Sequence, residues 1–419
     1  MVEADLNETL FRKIVNNISN KAEYIGHEEI PFSNETGYNT RKISESKDRN
    51  NERVIGIRAY RVHYCTEADN AETDKTKNIV LKVKLQGRLQ WHTLHDQLVS
   101  GDDPFGGLQR DFFDTTIDGE KKELACVSVN HPTWNTIQPK TWYTVNDKER
   151  DIYLVAMEHL HGDAVTHMDT VFDISDWTKQ DIEDVFKGIA PLHALYYGNI
   201  DSIPDDVKKT LTYIKLAEIY DKTDTRSVFK CLIEYIEAHH GDLLEETGVS
   251  RILNRSIMNM GEIFAILFSS PTTLVHNDFN VRNLCLRKHP KPYQKRLCVY
   301  DWECVRLMPP QHDIVEFIAF VLPDGSSVEL WEEYMDMYRQ IFLNELESLG
   351  SPNELINNVR NKVEFKKVFH MCVLEFAWNR MGGYMYVSKL FPMPFLLRVT
   401  KNVYRYIAAF ANEYDFLSA

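Results

Sequence analysis

Thr273–Leu286 reads TLVHNDFNVRNLCL, a polar loop set between two short apolar runs. Within it His276, Asp278 and Asn283 follow the spacing H-x-D-x-x-x-x-N. Downstream, Leu297–Glu303 reads LCVYDWE, an apolar run that places Asp301 at a strand end. An isolated Asp in a loop is ordinarily a turn or cap residue, and an isolated His is ordinarily structural. The fixed spacing and the strand context set Asp278, Asn283 and Asp301 apart from that ordinary reading. His276 is expected to brace the loop and take no part in chemistry.

The spacing matches that of kinase catalytic loops, and the chemistry explains why. Phosphoryl transfer from a nucleoside triphosphate needs positioning and charge neutralisation more than covalent help. One carboxylate must orient the acceptor hydroxyl and take its proton. A second must hold Mg²⁺, and a carboxamide completes the metal shell without adding charge. Asp278, Asp301 and Asn283 offer those groups in that order, all oxygen donors of the kind Mg²⁺ prefers. Arg282 has two readings: a guanidinium held against the transferring phosphoryl oxygens, or the partner of a nearby acidic side chain.

HNDFNVRN and YDWE together resemble the aminoglycoside phosphotransferase and choline kinase-like superfamily of small-molecule kinases, whose motifs run H-G-D-x-x-x-x-N and D-W-E. Ile189–Ala194, IAPLHA, is similar to the superfamily's helix before the catalytic loop, and Met157–Leu160, MEHL, to its hinge. Pro310–Phe317, PQHDIVEF, is similar to its P-x-x-D-L segment. The resemblance spans about residues 54 to 320 and implies ATP and Mg as cofactors. It implies adenine held at Glu158, His159 and Leu160, and Asp313 as a buried brace for the loop. Lys82, in Ile79–Val83, takes the place of the strand lysine that contacts the α- and β-phosphates, with Lys84 a near neighbour. Its acidic partner is sought at Asp111 or Asp114, and the sequence leaves both open. The phosphate-covering loop is placed around Asn51–Arg58, which holds only Gly56, with the turn Ser33–Gly37 as the alternative.

Further from the loop, the first half of the chain predicts strands. Val54–Tyr64, Asn78–Lys84, Thr141–Thr144 and Ile152–Met157 are rich in β-branched and aromatic residues and are separated by polar turns. From Asp176 onward, apolar residues recur at helical spacing, as at Ile182, Val185, Phe186, Ile189 and Leu192. The expected fold class is therefore α+β: a two-lobed protein-kinase-like fold with an antiparallel sheet lobe and a mainly helical lobe. The boundaries are 1–158 for the nucleotide-binding lobe, 159–163 for the hinge and 164–419 for the helical lobe.

The acceptor is expected to be a small hydroxylated molecule. Between Asp301 and Asp313 the chain is too short for the peptide-docking segment of protein kinases, and no A-P-E motif follows. Phe376–Tyr386, FAWNRMGGYMY, supplies a candidate pocket wall. Gly382 and Gly383 are expected to end a helix there, letting Trp378, Tyr384 and Tyr386 point inward beside Phe391. Aromatic faces and a nearby carboxylate, Glu375 or Asp169, would suit a cationic amine. A module that binds nucleotide without turnover is the alternative, since no glycine-rich loop is visible.

Composition agrees with an ordinary globular enzyme. The 419 residues are 43% hydrophobic and 26% charged, too many for one core and typical of a folded two-lobed chain. A formal charge of −14 disfavours nucleic acid and anionic membranes as partners. Seven scattered cysteines without a CxxC pair disfavour zinc and disulfide scaffolds and favour a reducing compartment. The acidic start, MVEADLNETLFRK, is unlike a targeting peptide, so a cytoplasmic location is expected.

Overall fold

The computed structural model describes residues 5–31, 47–48, 50–66, 75–85, 119–211, 223–389 and 393–418. Helix α1, Glu8–Ile18, begins where Asn7 accepts the Leu10 N–H at 3.2 Å, and it buries Leu10, Phe11, Ile14 and Val15. Those side chains sit on a five-stranded antiparallel sheet of order β1-β2-β3-β5-β4. Its strands are β1 Ala22–Ile30, β2 Ile57–Thr66, β3 Lys75–Leu85, β4 Thr141–Asp147 and β5 Ile152–Glu158. Four of the five are those predicted. The missed one, β1, contains Glu23, Glu28 and Glu29, and its exposed edge position tolerates that polarity.

In the central strand β3 alternation matters most. Ile79, Leu81 and Val83 face the small core with α1, while Lys82 and Lys84 share the opposite face. Lys82 is opposite Ile57 on one side and Val155 on the other, so its Cα is fixed by two ladders.

Helix α2, Gly119–Val127, and the short helix Pro132–Ile137 precede β4, but Cys126, Trp134 and Ile137 belong to the larger second core. That core is built mostly of helices. Helix α3, Lys179–Tyr196, starts at a capping box in which Thr178 and Asp181 satisfy each other's backbone N–H groups. It passes so close to the β-region below that a Cβ at Gly188 would lie 2.3 Å from Leu297 Cβ. Embedded among the helices are short strands: β7 Thr273–Val275 pairs with β10 Arg306–Met308, and β6 Val165–Thr166, β8 Leu284–Arg287 and β9 Leu297–Val299 form a second ribbon. The loop between β7 and β8 holds Asp278, and the end of β9 holds Asp301. The chain is thus α+β, with an antiparallel sheet in its first part and a mostly helical second part. Among the described residues no helix is long and apolar enough to cross a membrane.

Candidate active site

Helix α4, Gln311–Val321, clamps the loop after β7 from below. Asp313 Oδ2 accepts the His276 N–H at 2.7 Å and Oδ1 accepts the Asn277 N–H at 2.8 Å. His193 of α3 adds a 3.2 Å contact to the same carboxylate. Burial alone would raise the Asp313 pKa, but these partners overcome it and hold the carboxyl below its ordinary value. His276 Nε2 meets the Tyr300 carbonyl at 3.0 Å, tying the loop to the residue before Asp301.

Among the left-handed backbone positions are Asn277 at φ 61° in the loop and Asp301 at φ 67°. Asn and Asp visit that region more readily than other side chains, and a non-glycine residue held there, at a cost on the order of 1–3 kcal/mol, persists where its surroundings over-determine the backbone.

Asp278 is surrounded by donors. Its Oδ2 accepts the Asn283 amide at 2.7 Å. Its Oδ1 meets the Tyr384 hydroxyl at 2.5 Å, the Asn280 amide at 2.9 Å and Arg380 Nη2. Arg282 Nη2 stands 3.6 Å away and its Nε donates to Asn280 Oδ1 at 3.0 Å. Burial works to raise the Asp278 pKa; the guanidiniums of Arg380 and then Arg282, with the Tyr384 hydrogen bond, drive it well below the carboxylate range. Of the two readings of Arg282, the structure places it against acidic neighbours and over the rings of Tyr384 and Phe320, at 5.0 and 5.5 Å.

Asn283 spends its N–H₂ on Asp278, which leaves its carbonyl oxygen as a possible metal ligand. The Asn283 backbone carbonyl accepts the Tyr300 N–H at 3.0 Å, so the end of the loop lies against the end of β9.

Asp301 meets both strand lysines. Lys82 Nζ lies 2.7 Å from Asp301 Oδ1 and also bonds Glu123 of α2. Lys84, fully buried, lies 2.6 Å from Glu303 and 3.3 Å from Asp301. Desolvation disfavours its charge, but Asp301 and Glu303 outweigh that and raise its pKa well above the usual value. Asp301 is held low in return by Lys82 and Lys84 against its burial. Glu123, Asp301 and Glu303 present carboxylate oxygens within 4.8 Å of one another. An all-oxygen set of this kind fits a hard divalent cation such as Mg²⁺. The partner of Lys82 is therefore Glu123; Asp111 and Asp114 lie outside the described residues, as do Phe391 and the turn Ser33–Gly37.

At the end of β5 the Glu158 N–H donates to the Lys140 carbonyl at 2.8 Å and the His159 N–H to the Asn78 carbonyl at 3.4 Å. Leu160 joins Val165, Cys285 and Cys298 in a small apolar cluster, with Met168 and Tyr300 against it. Gly56 has φ 73°, a value suited to glycine, and its carbonyl accepts the Val83 N–H at 2.9 Å, so it opens β2 as part of the ladder.

The expected acceptor wall needs correction. The chain does not stop at Gly382 and Gly383: one turn of π-helix, Ala377–Met381, links helix α5, Lys362–Phe376, to helix α6, Gly382–Val387. Gly382 lets the helix pass Leu232, whose Cβ would be 3.2 Å from an added Cβ. The widened turn sends Trp378 into the core, where its indole N–H bonds Ser256 at 2.8 Å between Phe229 and Phe264. Tyr386 is buried against Tyr235, 5.3 Å between centroids. Glu375 is fully buried and paired with Arg306 at 3.1 Å and His312 at 2.8 Å, so no amine from solvent reaches it. Asp169 lies near Tyr300, close enough for its charge to help raise that phenol. Of the three aromatics Trp378, Tyr384 and Tyr386, Tyr384 reaches Asp278. The residues that sequence reasoning missed are Arg380, Glu316, Asn280, Glu123 and Glu303. A signal existed for two of them: Glu316 follows Asp313 by three residues, hence on one helix face, and Glu303 is the last residue of YDWE.

Several solved structures match the chain at low identity. A choline kinase from Cryptosporidium parvum matches at TM-score 0.45 and 11% identity, covering 97% of this chain and 96% of that one. A microcompartment-associated aminopropanol kinase matches at 0.37 and 12%, covering 98% and 99%. A choline kinase from Streptococcus pneumoniae matches at 0.34 and 11%, covering 96% and 99%. No curated protein matches the chain in sequence. A family model described as ecdysteroid kinase-like matches residues 130–351, more than half of the chain, and takes in the loop, Asp301 and α4. The chain belongs to the ecdysteroid kinase-like family.

Proposed function

We propose that this chain is a phosphotransferase that moves the γ-phosphoryl group of ATP to a hydroxyl of a small molecule, with Mg²⁺ bound at Asp301 and Asn283. The observation that carries the reading is the joining of Asp278 and Asn283 at 2.7 Å on a loop whose end lies against β9, where Asp301 meets the Lys82–Glu123 pair. Mg²⁺, when bound, neutralises charge on the phosphates. The other work falls to the chain itself. Asp278 orients the acceptor hydroxyl and takes its proton, and Asn283 fixes the Asp278 carboxylate. Lys82, steered by Glu123, faces the α- and β-phosphates. Adenine lies on the Leu160 cluster with the backbone of Glu158–Leu160 alongside it. Lobes 1–158 and 164–419, joined at 159–163, would close on the nucleotide.

For the acceptor, an uncharged hydroxylated molecule suits the site best. Arg282 and Arg380 stand beside Asp278, and the carboxylate and aromatics once assigned to a cation, Glu375 and Trp378, are in the core. Two guanidiniums within reach of the base disfavour an ammonium group. The family's own description makes ecdysteroids, which carry several hydroxyls, a first set of acceptors to try.

The test is incubation of purified protein with Mg-ATP and a panel of hydroxylated metabolites, including ecdysteroids, sugars, alcohols and choline. New phosphomonoesters by mass spectrometry, lost in Asp278→Asn, support the reading. ATP binding without ADP release on any acceptor favours the binding-module alternative. The direct Arg380 contact on Asp278, which leaves the base occupied, is the observation in that alternative's favour.

A further inference from the structure

Asp278 is joined to a second buried carboxyl by two bridges. Tyr384 Oη lies 2.5 Å from Asp278 Oδ1 and 3.0 Å from Glu316 Oε1. The Asn280 amide nitrogen lies 2.9 Å from each of the same two oxygens. Glu316, on α4 one turn beyond Asp313, is fully buried, and its Oε2 has no hydrogen-bond partner among the described residues.

Counting hydrogens shows what this arrangement can do. Asn280 has two N–H groups and serves both carboxyls. Tyr384 has one hydrogen, and Arg380 donates to its oxygen at 2.5 Å. With both carboxyls ionised, the phenol can donate to only one of them, leaving one close oxygen–oxygen contact without a hydrogen. A single further proton on Glu316 completes the set. Asp278 is already supplied by Asn280, Asn283, Tyr384 and Arg380, so it is built to orient a hydroxyl and not to keep the proton it receives.

We infer that Glu316 is the proton store of this site, taking up through Tyr384 the proton that leaves the acceptor hydroxyl at Asp278. The inference rests on the kinase reading above. In the step, the acceptor O–H bond breaks as its oxygen forms the bond to the γ-phosphorus. The bond from that phosphorus to its bridging oxygen breaks, and the electron pair leaves on ADP. The proton passes to Asp278, then to the Tyr384 oxygen as the phenol hands its own proton to Glu316 Oε1. Glu316 is a positioning residue in this account, since it acts through Tyr384 and does not touch the acceptor.

The surroundings of Glu316 support that role. Facing it are Asp278, Asn280 and Arg282 from the catalytic loop, and Arg380, 3.6 Å away, and Tyr384 from the π turn and α6. Elsewhere on α4 the charged groups of the neighbouring helices are taken: His193 by Asp313, Glu375 by His312, and Arg398 by the Phe320 carbonyl. Burial first, with the Asp278 charge adding to it and Arg380 opposing, pushes the Glu316 pKa up to about 7. Such a carboxyl can take a proton and release it near neutral pH.

The test follows ADP release from Mg-ATP, with water as the acceptor where no better one is known, from pH 5.5 to 8.5. Alongside it, ¹³C NMR follows the carboxyls of glutamate-labelled protein. In wild type the rate rises through about pH 7, and one glutamate titrates there. In Glu316→Gln, folded by the criterion of its melting curve, that resonance is gone, the rise is abolished and the rate at pH 8 falls about tenfold or more. Tyr384→Phe moves the midpoint of the Glu316 resonance and flattens the profile. An unchanged pH profile in Glu316→Gln, or no glutamate titrating near 7, overturns the inference and leaves the kinase reading standing. No ADP release from wild type at any pH, with water or with any acceptor, removes both.

Discussion

Buried charges that answer one another set the behaviour of single residues here. Lys84 has no exposed surface and faces Glu303 and Asp301. Asp301 keeps Lys82, but removing the Lys84 ammonium breaks the ion pair of Glu303, which costs on the order of 3–5 kcal/mol. Lys84→Met is therefore expected to lower the denaturation midpoint sharply in urea melts. Lys82→Met, which strips the buried Glu123 of its cation, is expected to cost about as much stability and also to abolish nucleotide-dependent turnover. Turnover retained in Lys82→Met would contradict its assigned role. At this scale the sequence is legible wherever the candidate site depends on local spacing. Asp278, Asn283 and Asp301 are read from a loop and a strand end. Arg380 and Glu123 are not, because their contacts with Asp278 and Lys82 join positions far apart in the chain.

Helices and strands deliver those residues, and their packing leaves little slack. Gly188 carries α3 across β9, where any Cβ would meet Leu297 at 2.3 Å. Gly188→Ala is expected to destabilise the protein by about 1–3 kcal/mol through overpacking. It should also displace β9 and so weaken the proposed metal site at its end, read as reduced stabilisation by Mg-ATP in thermal melts. An unchanged melting temperature would show that β9 yields freely. The acceptor wall was misread at this same scale. Phe376–Tyr386 carries helical periodicity, and the paired glycines look like a stop. A π turn changes the phase of the helix without a sequence signature, so Trp378 went to the core and Arg380 to the base. The edge strand β1 escaped notice for a related reason: polar residues suit an edge, and periodicity then gives no sign of a strand.

For the whole molecule, the buried carboxyls make stability depend on pH in two windows. Asp278, Asp301 and Glu375 are held below the ordinary carboxylate value, so their contribution is present above the unfolded pKa and is lost as acid protonates them. Glu316 runs the other way. Its folded pKa is about 7 against an ordinary 4.5, so the folded state binds the proton more tightly. That contribution is fully present below about pH 4.5 and is lost as pH rises through about 7. Relative to Glu316→Gln, wild type is expected to lose up to about 3 kcal/mol between pH 5 and 8, an upper figure from the linkage of one group. Parallel stability curves for the two proteins over that range would contradict the assigned shift. The two-part α+β plan was legible because a switch of hydrophobic period from two to about 3.6 marks it along the chain. The placement of Cys126, Trp134 and Ile137 in the second core was not, since they precede strands β4 and β5 in sequence.

In the proposed reaction Asp301 and Asn283 share a divalent cation beside Asp278. A crystal structure with Mn²⁺ and a non-hydrolysable ATP analogue measures it directly. An anomalous peak within coordinating distance of an Asp301 carboxylate oxygen and the Asn283 side-chain carbonyl, with the γ-phosphate facing Asp278, is the predicted result. Nucleotide bound elsewhere, or Mn²⁺ absent from Asp301 while Lys82 and Lys84 keep hold of that carboxylate, would contradict it.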